Sequence, residues 1–104
     1  MKKIFSLILA QGLLWCNISY SDIKSDARET MLKARACYLS LPSYAQEGAV
    51  NSYLDAVKYW NDAVKEHNMG DPRGLASAFY RNATAYGGVV LQIGSAYGSQ
   101  ACRP

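Results

Sequence analysis

From Asn82 to Ala101 the chain runs NATAYGGVVLQIGSAYGSQA without a charged residue, bracketed by Arg81 and Arg103 and followed directly by Cys102. A surface helix needs one charged or polar face, and this stretch has too little polar surface for a fully solvated one. Its apolar positions, with those just before it (Leu75, Phe79, Ala83, Tyr86, Val90, Ile93, Tyr97), keep helical spacing straight through Gly87-Gly88. Each of those glycines costs a helix roughly 1 kcal/mol relative to alanine, yet the register survives them, so helix is preferred over the strand-like GVVLQI patch. Three placements follow. The segment is the central, most buried helix, with small residues for close packing. Alternatively its spare face, with Gly87, Leu91, Gly94 and Gly98, meets a partner or a second copy. A membrane span ranks last: Gly94 and Gly98 form a literal GxxxG, but Asn82, Thr84, Gln92, Ser95, Ser99 and Gln100 make a poor span.

The rest of the chain is cut into helices by its prolines and glycines. Residues 22–41 carry an apolar stripe at Ala27, Met31, Ala34, Tyr38 and Leu41, with Lys24, Arg28, Lys33 and Arg35 mostly outside it. Pro42 ends that helix, because the residue before a proline avoids the helical region. Residues 43–69 form the second, opened by a Ser43-x-x-Gln46 capping box. Its stripe is Val50, Tyr53/Leu54, Val57, Trp60 and Val64, with Asp55, Asp62 and Glu66 on the wet side. Gly70 stops it. Asp71 then caps a third helix, 72–97, with Pro72 in its first position. The expectation is an all-α fold, a three-helix up-down-up bundle.

Residues 1–21 are expected to be a cleaved signal peptide. Lys2 and Lys3 precede an apolar run from Ile4 to Trp15, too short to span a bilayer, and Ser19 and Ser21 set a cut before Asp22. A lipoprotein cut at Cys16 is disfavoured by the bulk of Trp15. Without the leader the domain is 22–104 and the net charge falls from +3 to about +1. The scattered, mixed charges give no footprint for nucleic acid. The location expected is the periplasm or outside the cell, where Cys37 and Cys102 would form one disulfide. With equal rise per residue, Cys102 on a straight third helix overshoots Cys37 by about 12 Å. Bridged Cα atoms lie within about 7 Å. Gly98 is therefore expected to end the helix, and residues 98–104 to fold back past Gly94.

Catalytic chemistry is hard to build from these residues. His67 is the single histidine and sits at a helix end. One histidine and a cysteine pair make no metal site, Asp55 and Asp62 read as a solvated face, and the glycines form no phosphate loop. No catalytic, metal or cofactor-binding residue is assigned, and the chain is read as non-enzymatic. The aromatic residues say more. Tyr44, Tyr59 and Tyr80 fall outside the stripes, and exposed tyrosines are frequent at protein contacts. A first helix starting at Asp22 leaves the hairpin tip, 63–78, uncovered, with Trp60, Val64, Leu75 and Phe79 at its edge. The candidate surface for a protein partner or self-association is Tyr59, Trp60, Val64, Leu75, Phe79, Tyr80, Gly87, Leu91 and Gly94.

In its size, its export signal (Met1 to Ser21) and its compact 22–104 remainder the chain resembles the exported killing-in-Klebsiella proteins (KikA) encoded beside transfer genes of some conjugative plasmids. That resemblance implies an exported protein tied to plasmid conjugation and to toxicity toward certain bacterial hosts. It carries over no functional residue. Small periplasmic immunity or inhibitor proteins share the same bulk properties, and a membrane-active killing polypeptide is a third class.

Overall fold

The structure is a computed structural model and describes residues 19–103. The expected leader lies mostly outside the described residues, as does the Cys16 lipoprotein alternative. Three helices, α1 (Tyr20–Ser40), α2 (Ser43–Asn68) and α3 (Ala76–Ala96), are followed by a 3-10 turn, Gln100–Cys102. The described residues contain no strand. Helix α3 runs unbroken through Gly87-Gly88. It is the central element, and α1 and α2 lean on it far more than on each other.

Several boundaries differ from expectation, each for a local reason. Helix α1 begins at Tyr20, two residues before Asp22, because the Ser19 hydroxyl accepts a hydrogen bond from the Asp22 N–H at 3.3 Å. The expected cut after Ser21 therefore falls inside the first turn. The capping box at the start of α2 does not form. Ser43 is already helical, Pro42 occupies the cap, and the Gln46 amide donates to the Tyr38 carbonyl at 2.9 Å, tying α2 to the end of α1. Helix α3 begins at Ala76 and not at Pro72. Asp71 and Gly74 both take positive φ, 54° and 67°, which turns the chain once more before a helix can start. Asp71 still caps, at a different place: its carboxylate accepts the Ala76 N–H at 3.0 Å.

The end of α3 follows the expected path. Tyr97 is its C-cap and Gly98 adopts φ 79°, the left-handed conformation that stops a helix. The chain doubles back: the Ser95 hydroxyl donates to the Cys102 carbonyl at 2.9 Å, and Cys102 is bonded to Cys37 with Cα atoms 4.6 Å apart. Gly94 makes the approach possible. A Cβ there would lie 2.8 Å from Cys102 Cβ and closer still to both sulfurs.

The core is built mostly from small residues. Around the disulfide, Ala34, Cys37, Leu41, Ala45, Ala49, Val90, Leu91 and Cys102 pack together; at the other end the cluster is Ile23, Ala27, Ala63, Ala76 and Tyr80. Helix α2 thus turns Ala45, Ala49, Ala56 and Ala63 fully inward, while its expected stripe is only half-buried at Val50, Tyr53, Val57, Trp60 and Val64, and Leu54 is exposed. On α3 the buried positions are Ala76, Tyr80, Ala83, Gly87, Val90, Leu91 and Gly94, one residue round from the expected row. Large side chains would hold the axes apart. Alanine and glycine let them close, and Gly87 sits where a Cβ would meet Thr30 and Ala34 of α1. Close packing on the small residues wins over burial of the large ones.

Candidate functional site

That rotation of α2 leaves an unfilled trough between α1 and α2. Along α1, Arg28, Leu32, Arg35 and Leu39 recur at spacings of four, three and four, which places them in one row. Leu32 and Leu39 are exposed, at 62% and 63%. Facing them on α2 are Tyr53, Val57 and Trp60, the large residues displaced from the core. With Met31 these side chains line an open groove of about 520 Å³. Its only charged lining residues are the two arginines. Neither is ion-paired: among the described residues the one ion pair is Arg73 with Glu66. Stacked Tyr38 and Tyr53 rings, 4.5 Å apart, join α1 and α2 toward the disulfide end.

The surface expected from the sequence does not assemble as one patch. Tyr80, Gly87, Leu91 and Gly94 are buried in the bundle and present nothing to a partner. Tyr59 is half-buried against α3, stacked on Tyr86 at 5.5 Å and tilted against Phe79 at 6.3 Å. Val64 and Phe79 pack on the lower core, and Leu75 is half-buried just ahead of α3. Trp60 alone of the set lines the groove, with its ring edge-on to Tyr80 at 5.2 Å. The hairpin tip is also less bare than a start at Asp22 implied. Tyr20 reaches it, its hydroxyl 2.9 Å from His67 Nδ1 and its ring stacked on the imidazole at 5.4 Å.

A second constellation organises the turn between α2 and α3. Glu66, expected on the wet side, is buried, at 1% exposed. Burial of a carboxylate requires pairing, and Arg73 supplies it: Arg73 donates its backbone N–H and Nε to Oε1, both at 3.2 Å, and an Nη to Oε2 at 2.8 Å. The guanidinium hydrogen bond holds the Glu66 carboxyl below its ordinary value of 4.5. Met69 and Phe79 border a depression of about 300 Å³ here, with Asp62 and Lys65 on its rim. The carboxylate is committed to the turn, which makes this a structural device. Its legible trace in the sequence is the Glu66-to-Arg73 spacing across Gly70.

One buried polar atom has no partner among the described residues, the Tyr80 hydroxyl. Burial first, and then the neighbouring Tyr20 hydroxyl, push it up to about 12. The described residues hold no group of three or more metal-ligating side chains, and none of their helices is long and apolar enough to cross a membrane. The groove row on α1 was present in the sequence as a 4-3-4 spacing, hidden because its arginines read as ordinary solvated charges. No protein-family model, curated protein or solved structure matches the chain.

Proposed function

We propose that this is an exported, non-enzymatic helical protein that acts by contact with another protein, and that the α1–α2 groove is its contact surface. The observation that carries this reading is the pair of exposed leucines facing three large half-buried side chains across an open trough. An apolar surface of that kind, rimmed by charge, is the usual mark of an interaction site. The fold needs no ligand to fill the trough, since the core closes on alanine and glycine behind it.

A photo-crosslinking residue at Leu32, installed in cells that express the full chain, tests the assignment. A discrete crosslinked protein from Leu32, absent when the same residue replaces exposed Ser25 on the same helix, supports the groove. Equal products from both positions, or none from either, count against it. The resemblance in size and export layout to plasmid-encoded killing proteins supports a place beside conjugation genes. Flanking transfer genes would favour that setting; a flanking toxin gene would favour an immunity or inhibitor role.

A further inference from the structure

Resting on that reading, we infer that the groove's occupant is a three-turn amphipathic helix of another protein, bearing two acidic side chains seven residues apart. The dimensions come from the row on α1. Arg28 to Leu39 spans about 16 Å of helix axis, or three turns, and the two guanidinium groups stem from positions about 10.5 Å apart. Seven residues on a facing helix cover the same distance on the same face. Carboxylates at that spacing meet both arginines at once, and arginine is the cation best shaped for them.

The apolar part of the groove sets the rest. Met31, Leu32 and Leu39 from α1 and Tyr53, Val57 and Trp60 from α2 form a slot without an acidic lining residue. A helix presenting apolar residues at i, i+3/i+4 and i+7 fills such a slot. Both walls are helical and offer no open strand edge to an extended peptide. A second copy of this chain fits poorly. A two-fold contact places the same row against itself, and since the lining holds no acidic residue, both guanidinium groups would stay unpaired. A fatty acid fits poorly too, because its one carboxylate satisfies one arginine of the two.

The test is a selection from a displayed library of helical peptides, randomised at surface positions, against the purified oxidised full chain. Enriched peptides should carry an apolar i, i+3/i+4, i+7 face and Asp or Glu seven apart. Leu32→Asp should weaken their binding roughly 10- to 100-fold, the loss expected for one apolar anchor. Arg28→Gln with Arg35→Gln should weaken it several-fold at low salt, with the difference fading as screening rises. A protein with both arginines changed to glutamate should prefer peptides with lysine at the two acidic positions. Circular dichroism of each variant confirms that the bundle is intact. Enriched peptides without the acidic pair overturn the inference, as does binding indifferent to Leu32→Asp, displacement by oleate at matching concentration, or a dimer of the free protein by sedimentation. A crosslink from Leu32 in cells alongside any of these results would retain the contact surface and discard the acidic helix. Absence of the crosslink would remove the parent reading itself.

Discussion

Gly94→Ala is the sharpest perturbation the structure offers, because one methyl group would compete for the space of the disulfide. The added Cβ would lie 2.8 Å from Cys102 Cβ and nearer to both sulfurs. None of these atoms is the free end of a flexible side chain. Either α3 moves away from the tail, an overpacking cost of about 1–3 kcal/mol or more, or the bond fails to form. The bond closes a sequence separation of 65 residues, for which chain entropy gives a contribution of about 4 kcal/mol. Total stability for a small domain is about 5–15 kcal/mol, so either route removes a large share. Gly88 is the matched control: it lies on the same helix, a Cβ there meets nothing within 4 Å, and Gly88→Ala should gain about 0.5–1 kcal/mol from helix propensity. Urea unfolding followed by circular dichroism, with free thiols counted in each variant, measures both. Adding Cys37→Ala and Cys102→Ala supplies the decisive cycle. With the sulfurs gone, Gly94→Ala should cost far less than it does in the oxidised protein. A Gly94→Ala protein that is fully disulfide-bonded and within 0.5 kcal/mol of the parent, on the scale expected for an unconstrained surface site, would refute the packing argument.

Tyr80→Phe removes a buried hydroxyl that has no partner, so stability at neutral pH should rise by about 1 kcal/mol. The same hydroxyl ionises only near 12 in the fold against 10.0 in the unfolded chain; between those values the unfolded chain has released the proton that the fold retains, so stability falls as pH rises from 10.0 through 12, and the variant, lacking this proton, should show a flatter alkaline limb in a plot of Tm against pH. Glu66 titrates below its ordinary value of 4.5 in the fold, so its contribution is present above that value and is lost as pH falls through the lower folded one. Glu66→Gln should accordingly lower Tm at pH 7, with the gap to the parent closing at low pH. Ala56→Leu, at a fully buried alanine of α2, should cost about 1–3 kcal/mol by overpacking, whereas Leu54→Ala two residues away, 56% exposed, should stay within about 0.5 kcal/mol in the same urea assay.

The helices, their order and the tail were legible because each rests on local chemistry. Pro42, Gly70 and Gly98 act on their immediate neighbours, and the distance from Cys37 to Cys102 is set by helical rise once the turns are placed. Which face of α2 points inward was not legible in the same way. Apolar size favours Val50, Val57 and Trp60, but the inward face is chosen by how closely two axes can approach, a property of pairs of helices. Gly87 and Gly94 let α1 and the tail approach α3, and on the α2 side the same closeness comes from the alanines, Ala45 and Ala49 packing in one cluster with Val90 and Leu91. Tyr80 was misplaced for the same reason: a rotation of one residue on α3 exchanges Phe79 for Tyr80 in the core. The Glu66–Arg73 pair was obscured because Asp71 and Gly74, both at positive φ, delay α3 and bring Arg73 back over the end of α2.

The disulfide grips α1 close to one end only. Cys37 is near its last turn, and from there to Arg28 the helix extends about 13 Å beside α3. A rod bonded covalently near one end and packed at the other, here through Ile23 and Ala27, is a lever. A tilt of 10° about Cys37 would carry the Arg28 end through about 2 Å while Leu39, two residues beyond the fulcrum, barely moves. The trough is therefore tied covalently beside Arg35 and Leu39 and only by packing beside Arg28 and Leu32. What resists that swing at the far end is packing, Ile23 and Ala27 against Ala63, Ala76 and Tyr80, so the width of the trough beside Arg28 depends on how well that small cluster is filled.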